Sequence, residues 1–255
     1  MGQPQAMFPI RDHNPSRTRP IVTIGLIAIN ILIFTGYLGL FTDEAALRSF
    51  FGNWAMIPAR VTAGDGLYTI LSSMFLHAGF LHLAGNMLFL WIFGDNLEDV
   101  LGHLGFLLFY LACGVAAALA HILAAPGSTV PTVGASGAIA GVMGGYLLLF
   151  PRARVDVLFI LVIFVQVISV PAWWMLAIWF LMQLVSGVGF DPTGGGVAYW
   201  AHAGGFVAGF LLVLPVWLRR GAAGYWRDTH GLPPHPETRY RWAGSRVPRV
   251  RRRRR

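Results

Sequence analysis

Six apolar stretches, each roughly long enough to cross a bilayer, leave this chain few possible architectures. A spanning helix needs about 20 mostly apolar residues to cover about 30 Å of hydrocarbon. Residues 21–41, 75–93, 104–125, 132–150, a stretch ending near 189, and 197–218 meet that demand. Within lipid the backbone must satisfy its own polar groups, so such stretches predict helices. With 56% hydrophobic residues, 12% charged residues and a mean hydropathy of +0.61, the composition excludes an ordinary soluble domain. The expectation is an all-α membrane protein, a bundle of six transmembrane helices over residues 20–218. No small-residue cleavage site follows the first stretch, so that helix is expected to be retained.

Arginine placement orients the bundle, because short cytoplasmic loops carry the basic excess. Arg11, Arg17 and Arg19 place segment 1–19 in the cytoplasm, and the pairs Arg152/Arg154 and Arg219/Arg220 follow the fourth and sixth stretches. Both termini are then cytoplasmic, provided that 155–188 crosses once. Residues 155–170, separated from 172–188 by Pro171, are accordingly expected to form an interfacial or re-entrant lead-in to helix 5. The external loop 42–74 holds Phe50, Phe51, Trp54 and Met56 among few charges, as a partly inserted amphipathic element would. The tail 219–255, rich in arginine and proline and ending in Arg251 to Arg255, is expected to be disordered and to favour anionic lipids. A basic run alone does not specify nucleic acid, and none is expected as a partner. The single Cys113, within an apolar stretch, reads as a packing residue.

With that orientation the second, fourth and sixth stretches all run from outside to inside, and the candidate site residues fall in their outer halves. These are His82 and Asn86, four apart on one helical face, Ser136 and His202. Ser136 and His202 are each expected about 6 to 8 Å below the start of their helices. Serine becomes a nucleophile when a base takes its proton, and histidine is the usual base near neutral pH. No acidic residue shares that half of the bundle, so the expected site is a Ser136–His202 dyad without a carboxylate to orient the histidine. The Ser136 N–H, His82 and Asn86 are candidate donors to an oxyanion. Gly137 with Gly141, and Gly205 with Gly209, make two G-x-x-x-G faces that allow close helix approach beside these residues. His77, His103 and His121 are read as structural. The sequence has no H-E-x-x-H, and neither metal nor other cofactor is expected.

His82-x-x-x-Asn86, Gly134-x-Ser136-Gly137 and Ala201-His202-x-x-Gly205-x-x-x-Gly209, in that order, resemble the rhomboid family of intramembrane serine proteases. The resemblance implies a rhomboid-like bundle that cleaves transmembrane segments of other proteins near their outer ends. It implies Ser136 as nucleophile, His202 as general base and acid, and His82 and Asn86 as oxyanion stabilisers. The chain departs from the pattern in two places. It has Tyr68-Thr69 where many members have Trp-Arg, and Ala140 where many place an aromatic against the histidine, with Trp200 as a compensating ring. The rival readings are a rhomboid-like protein that binds or chaperones membrane helices without cutting them, and a transporter. The expected location is a prokaryotic plasma membrane.

Overall fold

The computed structural model describes residues 6–14, 16–161, 164–189 and 196–232. Strand β1 (Ala6–Asp12) leads into α1 (Ile21–Tyr37), and α2 (Glu44–Trp54), α3 (Pro58–Thr62) and α4 (Thr69–Ser72) form the loop region after it. Helices α5 (Phe80–Leu101), α6 (His103–Ala124) and α7 (Ser136–Leu149) follow. Next come β2 (Arg154–Leu161), β3 (Phe164–Pro171), α8 (Ala172–Val188), α9 (Tyr199–Arg219) and α10 (Ala223–Thr229). Helix α7 is the hub, buried along most of its length and packed against α5, α6, α8 and α9.

The six expected stretches each contain a helix, but not of equal reach. Residues 21–42, 103–124 and 199–219 are long and apolar enough to cross a membrane. The pair Thr69–Phe75 and Phe80–Leu101, bent by 92°, makes a fourth if counted as one span. Helices α7 and α8 are apolar but shorter, at 14 and 17 residues.

Residues 155–170, expected as an interfacial or re-entrant lead-in to helix 5, are extended where they are described. Strands β2 and β3 pair antiparallel, and β1 pairs antiparallel with β2 to give a three-stranded sheet, so the fold is not all-α. The segment is rich in valine and isoleucine, whose branched side chains suit a pleated surface. Asp156 fixes the register of β1, accepting bonds from Arg11 Nη2 at 2.9 Å and pairing with His13 Nε2 at 2.7 Å. The tail is folded further than expected. In α10 Tyr225 is buried, and the Trp226 indole donates to the Leu148 carbonyl at 2.9 Å. Residues 233–255, with the terminal arginine run, lie outside the described residues.

Helix α5 runs past the expected end at 93, and its last turn fastens α1. The fully buried Glu98 carboxylate accepts from the Val22 and Thr23 N–H groups at 2.9 and 2.8 Å and from Thr23 Oγ1 at 2.7 Å. Those amides begin α1, where backbone donors have no intrahelical partner and negative charge is favoured. Glu98→Ala orphans all three donors and is expected to cost about 3 kcal/mol. A lower thermal midpoint in detergent is the check, and an unchanged one contradicts it.

Strand β1 meets the helices through a polar cluster. Tyr146 Oη donates to Asp12 Oδ2 at 3.1 Å, Asn14 Nδ2 donates to Tyr146 Oη, and Asn96 Nδ2 donates to the Asn14 carbonyl at 2.9 Å. Burial, and then the charge of Asp95, push Asp12 up from 3.8 to about 7. Across that window the unfolded chain gives up a proton that the folded chain keeps. Stability therefore falls as pH rises from about 4 to about 7 and stays lower above it. Asp12→Asn removes the penalty, so its thermal midpoint is expected to exceed that of wild type at pH 8 and to approach it at pH 5. Equal differences at both pH values would contradict this.

Candidate active site

Helix α7 begins at Ser136, not at residue 132 as the apolar pattern suggests. The preceding residues find their backbone partners elsewhere. Thr132 pairs with Met56 as an isolated bridge, and the Gly134 N–H bonds the Ser73 carbonyl at 2.9 Å. Gly134 has φ +131°, and a Cβ there would lie 2.9 Å from the His82 ring. Only glycine fits that turn without strain. Ser136 consequently sits at the helix terminus, where its own N–H belongs to the unpaired first turn.

His202 lies in the first turn of α9, and its Nε2 is 2.8 Å from Ser136 Oγ. The close approach comes from the two small-residue faces. A Cβ on Gly205 would overlap the Gly137 carbonyl, and one on Gly209 the Gly141 carbonyl. The pattern extends further than expected, because a Cβ on Gly144 would overlap the Phe206 carbonyl.

His82 and Asn86, on α5, line the same cavity of about 610 Å³ as Ser136, His202, Phe89 and Trp179. The Ala78 N–H donates to His82 Nδ1 at 3.3 Å, which leaves Nε2–H of the neutral ring as the donor, on the side of Gly134 and Ser136. Asn86 Nδ2 donates to the His82 carbonyl one turn back, at 3.0 Å. Of the histidines set aside as structural, His77 is buried edge-on against His82, with ring centroids 5.2 Å apart, and His121 lines the cavity. His103 lies away from the cavity and pairs with Glu98.

Two residues of α8 escaped the sequence reading. Gln183 Oε1 is 2.9 Å from His202 Nδ1, and the Trp179 ring lies 5.8 Å from the imidazole at 32°. Trp200, the ring expected beside His202, instead donates to the Gly187 carbonyl at 3.1 Å. A lone amide at 183 and a tryptophan one turn before it were visible in an otherwise apolar stretch. In the loop region between α1 and α5, Tyr68 Oη donates to the Asn53 carbonyl at 2.8 Å and Arg60 bonds the Gly52 carbonyl and Asp65. These bonds hold α2, α3 and α4 together.

Residues 64–219, more than half of the chain, match the Rhomboid domain. This chain belongs to the rhomboid family. Rhomboid protein 1, mitochondrial, of Saccharomyces cerevisiae is 34% identical over 152 residues, which cover 56% of this chain and 40% of that protein. Rhomboid protease GluP of Bacillus subtilis is 28% identical over 207 residues, 80% of this chain and 36% of GluP. The human presenilin-associated rhomboid-like protein, mitochondrial, is 30% identical over 138 residues, 53% of this chain and 35% of that protein. The chain thus spans well under half the length of these relatives. Two of them are mitochondrial and one is bacterial, so they do not support the expected prokaryotic location in particular.

Proposed function

We propose that this rhomboid protein is an intramembrane serine endopeptidase that hydrolyses peptide bonds in or near transmembrane segments of other proteins. The observation that carries the reading is the 2.8 Å contact between Ser136 Oγ and His202 Nε2 on the wall of a largely apolar cavity. In the proposed arrangement six helices cross the bilayer, α7 and α8 included, with both termini in the cytoplasm and Ser136 towards the outer face.

Ser136 Oγ attacks the substrate carbonyl while His202 Nε2 takes its proton. The oxyanion is met by the Ser136 N–H, the positive end of α7 and His82 Nε2–H, with Asn86 beside them. His202 then passes the proton to the departing amine, and the acyl-enzyme is opened by a water that His202 deprotonates in turn. A helix shields and hydrogen-bonds its own backbone, so the substrate must unwind where it is cut. Small or helix-weakening residues are favoured there.

The test is cleavage of a fluorogenic transmembrane peptide by purified protein in detergent, with EDTA present against contaminating metalloproteases. The reading expects turnover by wild type and none by Ser136→Ala. Turnover that survives Ser136→Ala, or folded wild type inert on several such peptides, would overturn it.

A further inference from the structure

We propose that Gln183 is the positioning residue for His202, an uncharged third member that fixes which ring nitrogen carries the proton. The inference rests on the proposed use of Ser136 and His202. Its basis is the way in which both ends of one buried amide are held.

An amide oxygen only accepts hydrogen bonds and an amide nitrogen only donates them. Gln183 Nε2 donates to the Trp179 carbonyl at 3.3 Å, four residues back on α8, while Oε1 faces His202 Nδ1 at 2.9 Å. Rotating the amide by half a turn would set its oxygen against the Trp179 carbonyl oxygen, so the observed orientation is the favoured one. An acceptor at Nδ1 requires Nδ1–H on the neutral ring. Nε2 is then left with its lone pair on Ser136 Oγ, 2.8 Å away. The other tautomer would set Nε2–H against the serine and could not take its proton.

Trp179 and Gln183 are four apart and therefore share a face of α8. One face supplies both the acceptor that sets the tautomer and the ring beside the imidazole. The choice of amide over carboxylate has a physical reason. A buried carboxylate beside a neutral imidazole has no counter-charge, and such burial is expensive. The amide aligns the ring without that cost, but it offers no negative charge to the imidazolium formed when serine is deprotonated. The titratable side chains that face His202 from the other helices are His82 on α5 and His121 on α6. No carboxylate among the described residues lines the cavity.

The test compares wild type with Gln183→Leu and Gln183→Glu. In Gln183→Leu, kcat is expected to fall about 10- to 100-fold, the scale on which a metal-bound histidine suffers when its outer hydrogen-bond partner is lost, with KM nearly unchanged. Gln183→Glu restores the acceptor and is expected to recover kcat above that of the leucine variant. Its carboxylate favours the imidazolium, so the acid limb of the pH profile moves to higher pH. A readout free of turnover is the histidine 15N spectrum, with His202 assigned by its loss in His202→Asn. Wild type is expected to show Nδ1 protonated in the neutral ring, and Gln183→Leu a mixture of tautomers. Identical tautomers in wild type and the leucine variant, or kcat and pH profile unmoved in both variants, would overturn the role of Gln183. Ser136-dependent turnover in the same preparations would show that the protease reading survives that failure.

Discussion

Ser136→Ala and His202→Ala are each expected to reduce cleavage about 10⁴-fold or more, the scale on which members of a serine–histidine unit fail singly. The losses should not add in the double variant, because the proton cannot move once either partner is gone. Neither change removes a packing anchor. Ser136 is at the end of α7 and both side chains face the cavity, so thermal midpoints should stay within a few degrees of wild type. Retained fold with lost turnover is the signature of chemistry. Substantial turnover in either folded variant would contradict the assignment, and additive losses would contradict the coupling of the two residues.

Gly209→Val is expected to abolish turnover by a different route. A Cβ at this position would overlap the Gly141 carbonyl, carbon and oxygen alike, and backbone cannot step aside as a side chain can. Overpacking typically costs about 1–3 kcal/mol, and a collision with backbone belongs at or above the top of that range. The damage falls where α7 and α9 must approach for Ser136 to meet His202. Gly25→Val on α1 is the matched control, since a Cβ at Gly25 meets nothing within 4 Å. Gel filtration and thermal melts should separate the two variants clearly. A Gly209→Val protein as stable and active as Gly25→Val would show that α7 and α9 do not need this contact.

The glycine spacing that predicts this collision was readable in the chain, as were Ser136 and His202 as partners across two helices. The helix starts were less so. Residues 132–135 are apolar or small and continue the hydropathy of α7, yet their backbone is claimed by Met56 and Ser73, partners 60 or more residues earlier in the chain. Hydropathy also treats a buried strand and a buried helix alike, so 155–170 was readable as an interfacial or re-entrant lead-in but not as a pair of strands. The valine and isoleucine content was the signal for β2 and β3, and nothing in the local pattern showed that β1 would complete the sheet. Gln183 went unseen for a chemical reason. A search for a carboxylate to orient His202 passes over an amide that presents the same acceptor without the charge.

The most direct measurement of the central claim is the site of covalent capture by a fluorophosphonate, mapped by peptide mass. Such a reagent is attacked at phosphorus by an activated hydroxyl, expels fluoride, and leaves a stable adduct on the oxygen that attacked. The account predicts one adduct, on Ser136, in wild type, and none in His202→Ala, whose serine has no base. An adduct on any other serine, or equal labelling of Ser136 without His202, would contradict it.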